Sequence, residues 1–236
     1  NVKVGEPTEI RDYSEFAQFV ENNPIEMTLS CSIFYGKDNL LKLGTKANRK
    51  KWSMPSYAVN AYYSPLNNEI VIPAGILQCP FYSKDNDLPT NLGSIGSVIA
   101  HEISHGFDDQ GRKYDKEGNM VDWWTEEDAE QFAVLGKKLV DQYSEVVAIE
   151  DVNLNGEFTL GENIGDLGGV NAAYDGLQIF YKKNGRPNDI DGFTAEQRFY
   201  LSWATIWRTK TRDEALKNQI KTEIQLPQGH QLTDAK

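Results

Sequence analysis

The chain has 236 residues, 39% hydrophobic and 25% charged, with a formal net charge of −11 at pH 7. That is enough length and apolar content for one large domain or two small ones, each with a real core. The acidic balance argues against a nucleic-acid partner, which would need a basic face, and no apolar run approaches the roughly 18 residues of a membrane span. Two cysteines, Cys31 and Cys79, lack C-x-x-C spacing and make no disulfide framework. Buried structural thiols are expected, with a single bridge as the alternative. No signal peptide is visible, and an opening Asn1 in place of Met reads as a processed or excised piece, so the compartment is unassigned.

In chain order, residues 1–10 read as a linker or fraying start. Asp12 to Asn23 reads as a helix with Phe16, Phe19 and Val20 on one side, stopped by Pro24. Residues 27–54 read as mixed, and the basic cluster Lys46 to Lys51 as a solvated turn, with an anion site as the weaker reading. Tyr57 to Tyr63 and Glu69 to Ile72 are β-rich runs joined by the turn-forming Ser64-Pro65-Leu66-Asn67-Asn68, which predicts a hairpin. An edge strand there could take an extended peptide by strand addition. A short helix follows, with Ile95, Val98, Ile99 and Ile103 on its apolar side, a cap at Asn91, Ser94 or a nearby polar residue, and an end at Gly106. Residues 107–124 form a loop; Thr125 to Val147, 162–183 and Ala195 to Thr209 are helices, the first with acids in its opening turn. The last dozen residues show no periodicity.

The short helix contains His101-Glu102-Ile103-Ser104-His105, with two of the chain's three histidines. Positions four apart lie about 40° apart around a helix and about 6 Å along it, so both imidazoles can reach one metal ion. Glu102 is placed to act on a water at that metal. A catalytic zinc usually takes three protein ligands. The position six residues after His105 holds Gly111, so a third histidine of the metzincin kind is missing, and His230 sits in the irregular tail. Glu162 is the best third ligand, and Asp166, one turn on, shares its face and can hold the far nitrogen of a ligand imidazole. Glycines at 161, 165, 168 and 169 weaken that helix by about 1 kcal/mol each but allow close approach to the histidine helix. A rival pattern uses Glu162 differently: Asp151 to Gly156, five residues, then Glu162 matches an EF-hand calcium loop. That loop stands alone and leaves the histidine pair and Asp166 unexplained, so the zinc assignment is preferred.

With these motifs the sequence resembles the neprilysin and endothelin-converting-enzyme family of zinc metalloendopeptidases, which includes bacterial oligopeptidase O. The matching segments are Val59 to Tyr63, Ile72 to Gln78, Val98 to Asp109, Gly161 to Gly169, Trp203 to Arg212 and Ile220-Lys221-Thr222. The resemblance implies a mainly α fold with a small β-sheet (α+β), a thermolysin-like zincin catalytic domain. It implies one zinc ion held by His101, His105 and Glu162, with Glu102 as general base and Asp166 as the partner acid orienting His101. Asn60 and Ala61 would bind substrate backbone on an edge strand, and Phe81, Val98 and Trp207 would line the pocket for a bulky hydrophobic side chain just after the cleaved bond.

On this likeness residues 1–30 are a remnant linker or helix, 31–222 the catalytic domain and 223–236 a divergent tail. The expected substrate is a peptide, and a large N-terminal part of the parent protein, absent here, is expected to pack on this piece. The family's Asp-x-His stretch and nearby Arg give way to Glu223-Ile224-Gln225 and a tail without arginine. Losing an oxyanion donor costs on the order of 10²–10³ in rate. The expectation is therefore a zinc endopeptidase, with a zinc-bound but nearly inactive fragment as the alternative. A zinc aminopeptidase lacks its Gly-x-Met-Glu-Asn-like anchor here, and a calcium sensor would need the EF-hand reading.

Overall fold

The computed structural model describes residues 1–10, 12–14 and 23–222. Two compact units make up the chain: Glu6–Met54, and Asn1–Gly5 together with Pro55 onward. In the first unit, helix α1 spans Pro24–Leu41, so the boundary expected at residue 30 falls inside a helix. Asn23 caps it by accepting the Ile25 N–H at 2.9 Å. Pro24 opens the helix, because its missing N–H is not needed in a first turn. The expectation of mixed structure after residue 27 is corrected accordingly. The helix expected over Asp12 to Asn23 lies largely outside the described residues. Lys46 to Lys51 is exposed, and Lys50 pairs with Glu9 at 2.8 Å, as a solvated turn would.

The second unit is helical around a small sheet. Strands β1 (Val2–Gly5), β2 (Tyr62–Ser64) and β3 (Glu69–Pro73) run in the order β1-β3-β2, with β3 buried along its length. The β2–β3 hairpin matches expectation, though β2 starts at Tyr62 rather than Tyr57. Residues 1–10 are not simply a linker: β1 pairs in parallel with β3, Val2 opposite Ile70 and Val4 opposite Ile72. Lys3 ties that pairing to the buried Glu69 at 2.9 Å. No local signal reveals this, because the partner strand lies more than sixty residues away.

Leu88–Asn91 (α2), a π-turn at Leu92–Gly96 and Ser97–Ser104 (α3) run on as one helical segment. Its cap is a nearby polar residue, Asp87, which accepts the Thr90 N–H at 3.1 Å. Arg198 in turn holds Asp87, Nε to Oδ2 at 2.8 Å. Then follow α4 (Glu126–Ser144), a short antiparallel pair β4 (Val147–Ile149) and β5 (Val152–Asn153), α5 (Leu160–Asn184), α6 (Ala195–Ile206) and α7 (Asp213–Thr222). Helix α4 stops at Ser144, so Val147 belongs to β4, and α6 stops at Ile206, three residues short of Thr209. The sequence reading missed α7.

The main core joins the sheet to the helices: Ala61, Ile72, Ile95, Val98, Trp203 and Ile206 pack together. Helix α3 packs most extensively against α5. Glycine allows that approach, since a Cβ on Gly169 would lie 2.6 Å from the Ser97 carbonyl oxygen and 2.9 Å from the His101 nitrogen. Both cysteines are free, and Cys79 is exposed, against the expectation of buried thiols. None of the helices among the described residues is long and apolar enough to cross a membrane.

Candidate metal centre

His101 lies on α3 and His105 caps its C-terminal end. Their rings sit 4.5 Å apart, edge to face at 90°. Glu162, in the first turn of α5, comes to them from across the glycine contact. Its Oε2 is 3.5 Å from Nε2 of His101 and its Oε1 is 3.8 Å from Nε2 of His105. Among the described residues this is the group whose donor atoms all lie within 4.8 Å of one another, as a metal ion requires. Around a tetrahedral ion with bonds of 2.0–2.2 Å, neighbouring donors stand about 3.3–3.6 Å apart. The two separations from Glu162, one from each of its oxygens, are near that spacing.

The outer nitrogens are already engaged. Nδ1 of His101 meets Oδ1 of Asp166 at 2.9 Å, and Nδ1 of His105 meets Oδ2 of Asp108 at 2.7 Å. Each ring thus has Nε2 left for an ion, and each outer nitrogen has a carboxylate to hold its proton. Asp166 lies against the far nitrogen of His101, the place expected for it from the sequence. Asp108 was missed, although an acid three residues past the second histidine was a readable signal. Its Oδ1 accepts the N–H groups of Gln110 at 2.8 Å and Gly111 at 2.6 Å.

Protonation in the chain alone follows from burial and these contacts. Burial disfavours an imidazolium at His101, but hydrogen bonds to Asp166 and Glu162 outweigh it and push the pKa up to about 10. At His105 burial is likewise outweighed, by the Asp108 hydrogen bond, and the pKa is raised. Burial would raise Asp108 and Glu162, yet hydrogen bonds from His105 and His101 hold both below the usual carboxylate range. Burial pushes Glu102 upward, against the pull of the two histidines; the backbone N–H of Tyr63, on β2, bonds to its carboxylate.

A cavity of about 180 Å³ opens on this group. His101, Glu102, Glu162 and Asp166 line it together with Asn60, Phe81, Val98 and Trp207. Ala61 is 5% exposed and belongs to the core. Asn60 and Ala61 precede β2 instead of lying on it, and the Asn60 side chain accepts the Ala61 N–H at 2.9 Å. Gln219 of the unforeseen α7 also lines the cavity. The EF-hand reading fails locally. Val152 and Asn153 form β5, the Asn153 amide donates to the Ser144 carbonyl at 2.8 Å, and Asn155 accepts from the Phe158 N–H at 3.0 Å, while Glu162 faces the histidines. His230 lies outside the described residues.

The profile of Peptidase family M13 matches residues 60–229. An endothelin-converting enzyme homolog of Locusta migratoria is 39% identical over 223 residues, 94% of this chain and 30% of the relative. Human endothelin-converting enzyme 1 is 44% identical over 182 residues, 76% of this chain and 24% of the relative. Among solved structures, the Mycobacterium tuberculosis zinc metalloprotease ZMP1 in complex with inhibitor superposes with a TM-score of 0.90 at 41% identity. That match covers 96% of this chain and 35% of ZMP1. PEPO from Lactobacillus rhamnosis gives 0.80 at 33% identity, over 96% of this chain and 34% of that one. The chain spans about a third or less of the length of these relatives. With a family profile that matches most of its length, the chain belongs to peptidase family M13.

Proposed function

We propose that this chain carries the zinc centre of an endopeptidase that hydrolyses oligopeptides on the N-terminal side of hydrophobic residues. The observation behind the reading is a His-His-Glu donor set, two of whose members, His101 and Glu162, line one cavity with the buried carboxylate of Glu102. His101, His105 and Glu162 would hold the ion. When bound, zinc supplies Lewis acidity that acidifies a water and polarises a carbonyl. Glu102 takes the proton of the attacking water and hands it to the leaving amine. Its upward pKa shift, from burial, suits a group that must keep the proton between those transfers. Asp166 orients His101 through Nδ1.

An extended peptide would lie along the open edge of β2, with Asn60 and Ala61 meeting its backbone. Phe81, Val98 and Trp207 would receive the side chain after the cleaved bond, which the apolar wall of the cavity supports. An upstream part of the parent protein is proposed to pack on this piece. Supporting this, α1 leaves Ile25, Leu29, Leu40 and Leu41 exposed, and the relatives are much longer than this chain.

The alternative is a zinc-loaded but nearly silent piece, favoured by the departure at Glu223-Ile224-Gln225. Zinc quantified by mass spectrometry beside cleavage of an N-terminally blocked peptide separates these readings. Stoichiometric zinc with turnover supports the endopeptidase, and zinc without turnover supports the silent piece. Glu102→Gln is expected to keep the zinc and lower turnover by about 10²–10⁴. Full turnover in that variant would rule the mechanism out.

A further inference from the structure

We propose that Asp108 is a positioning residue of the metal centre, fixing the tautomer and the aim of His105. The inference rests on the reading of His101, His105 and Glu162 as metal ligands. An imidazole that binds a metal through Nε2 must carry its proton on Nδ1. An ionised carboxylate is an acceptor only, so Oδ2 of Asp108, 2.7 Å from Nδ1, requires the proton to sit there.

The carboxylate is itself immobilised. Asp108 is 6% exposed, and its second oxygen accepts two backbone N–H groups, from Gln110 and Gly111. The loop can close this tightly only with glycine at 111, where a Cβ would lie 1.8 Å from the His105 carbonyl oxygen. Behind it, a Cβ on Gly161 would stand 3.3 Å from Oδ2 of Asp108, so α5 closes the remaining side. His101 takes its orienting acid from α5, whereas His105 takes one from its own segment, three residues on. The second ligand is therefore aimed by a local loop, independently of the acids of α5.

Asp108→Asn tests this directly. The amide oxygen can still accept from the loop N–H groups, but the NH₂ then faces Nδ1 as a donor. The ring must respond by carrying its proton on Nε2, which cannot bind a metal. Zinc affinity of the full chain, measured by competition with a chromophoric chelator, is expected to fall about 10–100-fold. Should Asp108→Asn fail to fold, Asp108→Ser, which can cap the loop but not reach the ring, is expected to show the same loss. Asp115→Asn is the control. Asp115 also caps a loop, accepting from the Glu117 and Asn119 N–H groups at 2.9 Å, but has no imidazole partner among the described residues, and affinity should be unchanged.

Imidazole NMR of the zinc-loaded chain should place the His105 proton on Nδ1 in the wild type. A folded Asp108 variant that binds zinc as tightly as the wild type overturns the inference and leaves the proposed function standing. A wild-type chain that takes up no zinc overturns both.

Discussion

Helices α1 and α5 are both long, 18 and 25 residues, and neither has a well-defined apolar stripe, yet they end in opposite circumstances. Helix α1 has a side-chain cap, a proline in its first turn and one glycine, at 36, and it buries no residue. Helix α5 lacks a side-chain cap, carries glycines at 161, 165, 168, 169 and 176, and buries Asn163, Gly165, Asp166, Gly169, Ala173 and Leu177. Local propensity accounts for α1, and tertiary packing for α5. The proposed metal site depends on the second case. The glycines that weaken α5 as an isolated helix let Glu162 and Asp166 reach the histidines of α3.

The largest break in that comparison is a side chain at the helix crossing. Gly169→Val would drive two methyl groups toward Ser97 and His101, whose backbone atoms already stand 2.6 and 2.9 Å from a first Cβ. Backbone on both sides leaves no flexible group to yield, so a loss of about 1–3 kcal/mol or more is expected, together with loss of zinc binding. Chemical denaturation and zinc content check it. Gly36→Val in α1 meets nothing within 4 Å and should shift stability by no more than about 0.5 kcal/mol. Equal effects at the two sites would remove the distinction.

A smaller effect separates the metal-free and metal-bound states of the crossing. The folded pKa of His101, about 10, stands above the ordinary 6.5. A raised imidazole pKa adds stability that is complete below pH 6.5 and is lost as pH rises through 10. The metal-free chain should therefore lose stability over that window relative to His101→Gln. Zinc has the opposite sign, since it binds the neutral ring and displaces a proton, so the zinc-induced rise in melting temperature should grow across the same range. Parallel melts with and without zinc, in both proteins, measure this. A wild-type minus His101→Gln difference that is flat with pH contradicts it.

The legible parts of the molecule are those whose signal fits within one helix. His101 and His105, and Glu162 and Asp166, are pairs four apart, so the donor set could be read before any coordinates. What pairs across distance could not be: β1 finds β3 more than sixty residues away, and nothing in Val2-Lys3-Val4-Gly5 announces it. Other misses were local and readable. Asn23-Pro24 is a helix start, since asparagine caps and proline fits the first turn, a signal left unread. Asp213 and Glu214 mark the first turn of α7 as acids should. Asp108 follows the metal helix by one turn, but loops are read for glycine and proline more readily than for an acid aimed backwards. The π-turn before α3 has no sequence rule behind it; Gly93 there permits the Phe199 carbonyl oxygen to come within 2.0 Å of where a Cβ would stand.

The smallest effects sharpen the contrast most cleanly, because they isolate propensity from packing. Gly36 in α1 and Gly176 in α5 both sit within helices, and a Cβ on either meets nothing within 4 Å. Neither has the left-handed backbone of Gly185, where φ is +80°. Replacing each by alanine removes the same unfolded-state entropy, so each should gain about 0.4–1 kcal/mol despite the different fates of the two helices. Gly169→Ala, the same substitution in the same helix as Gly176, should have the opposite sign, because its methyl meets Ser97 and His101. The sign change within α5, measured by denaturation midpoints of the three single variants, tests whether glycine at 169 is there for contact with α3. If Gly169→Ala stabilised the chain as much as Gly176→Ala, close approach could no longer explain the glycines around Glu162 and Asp166.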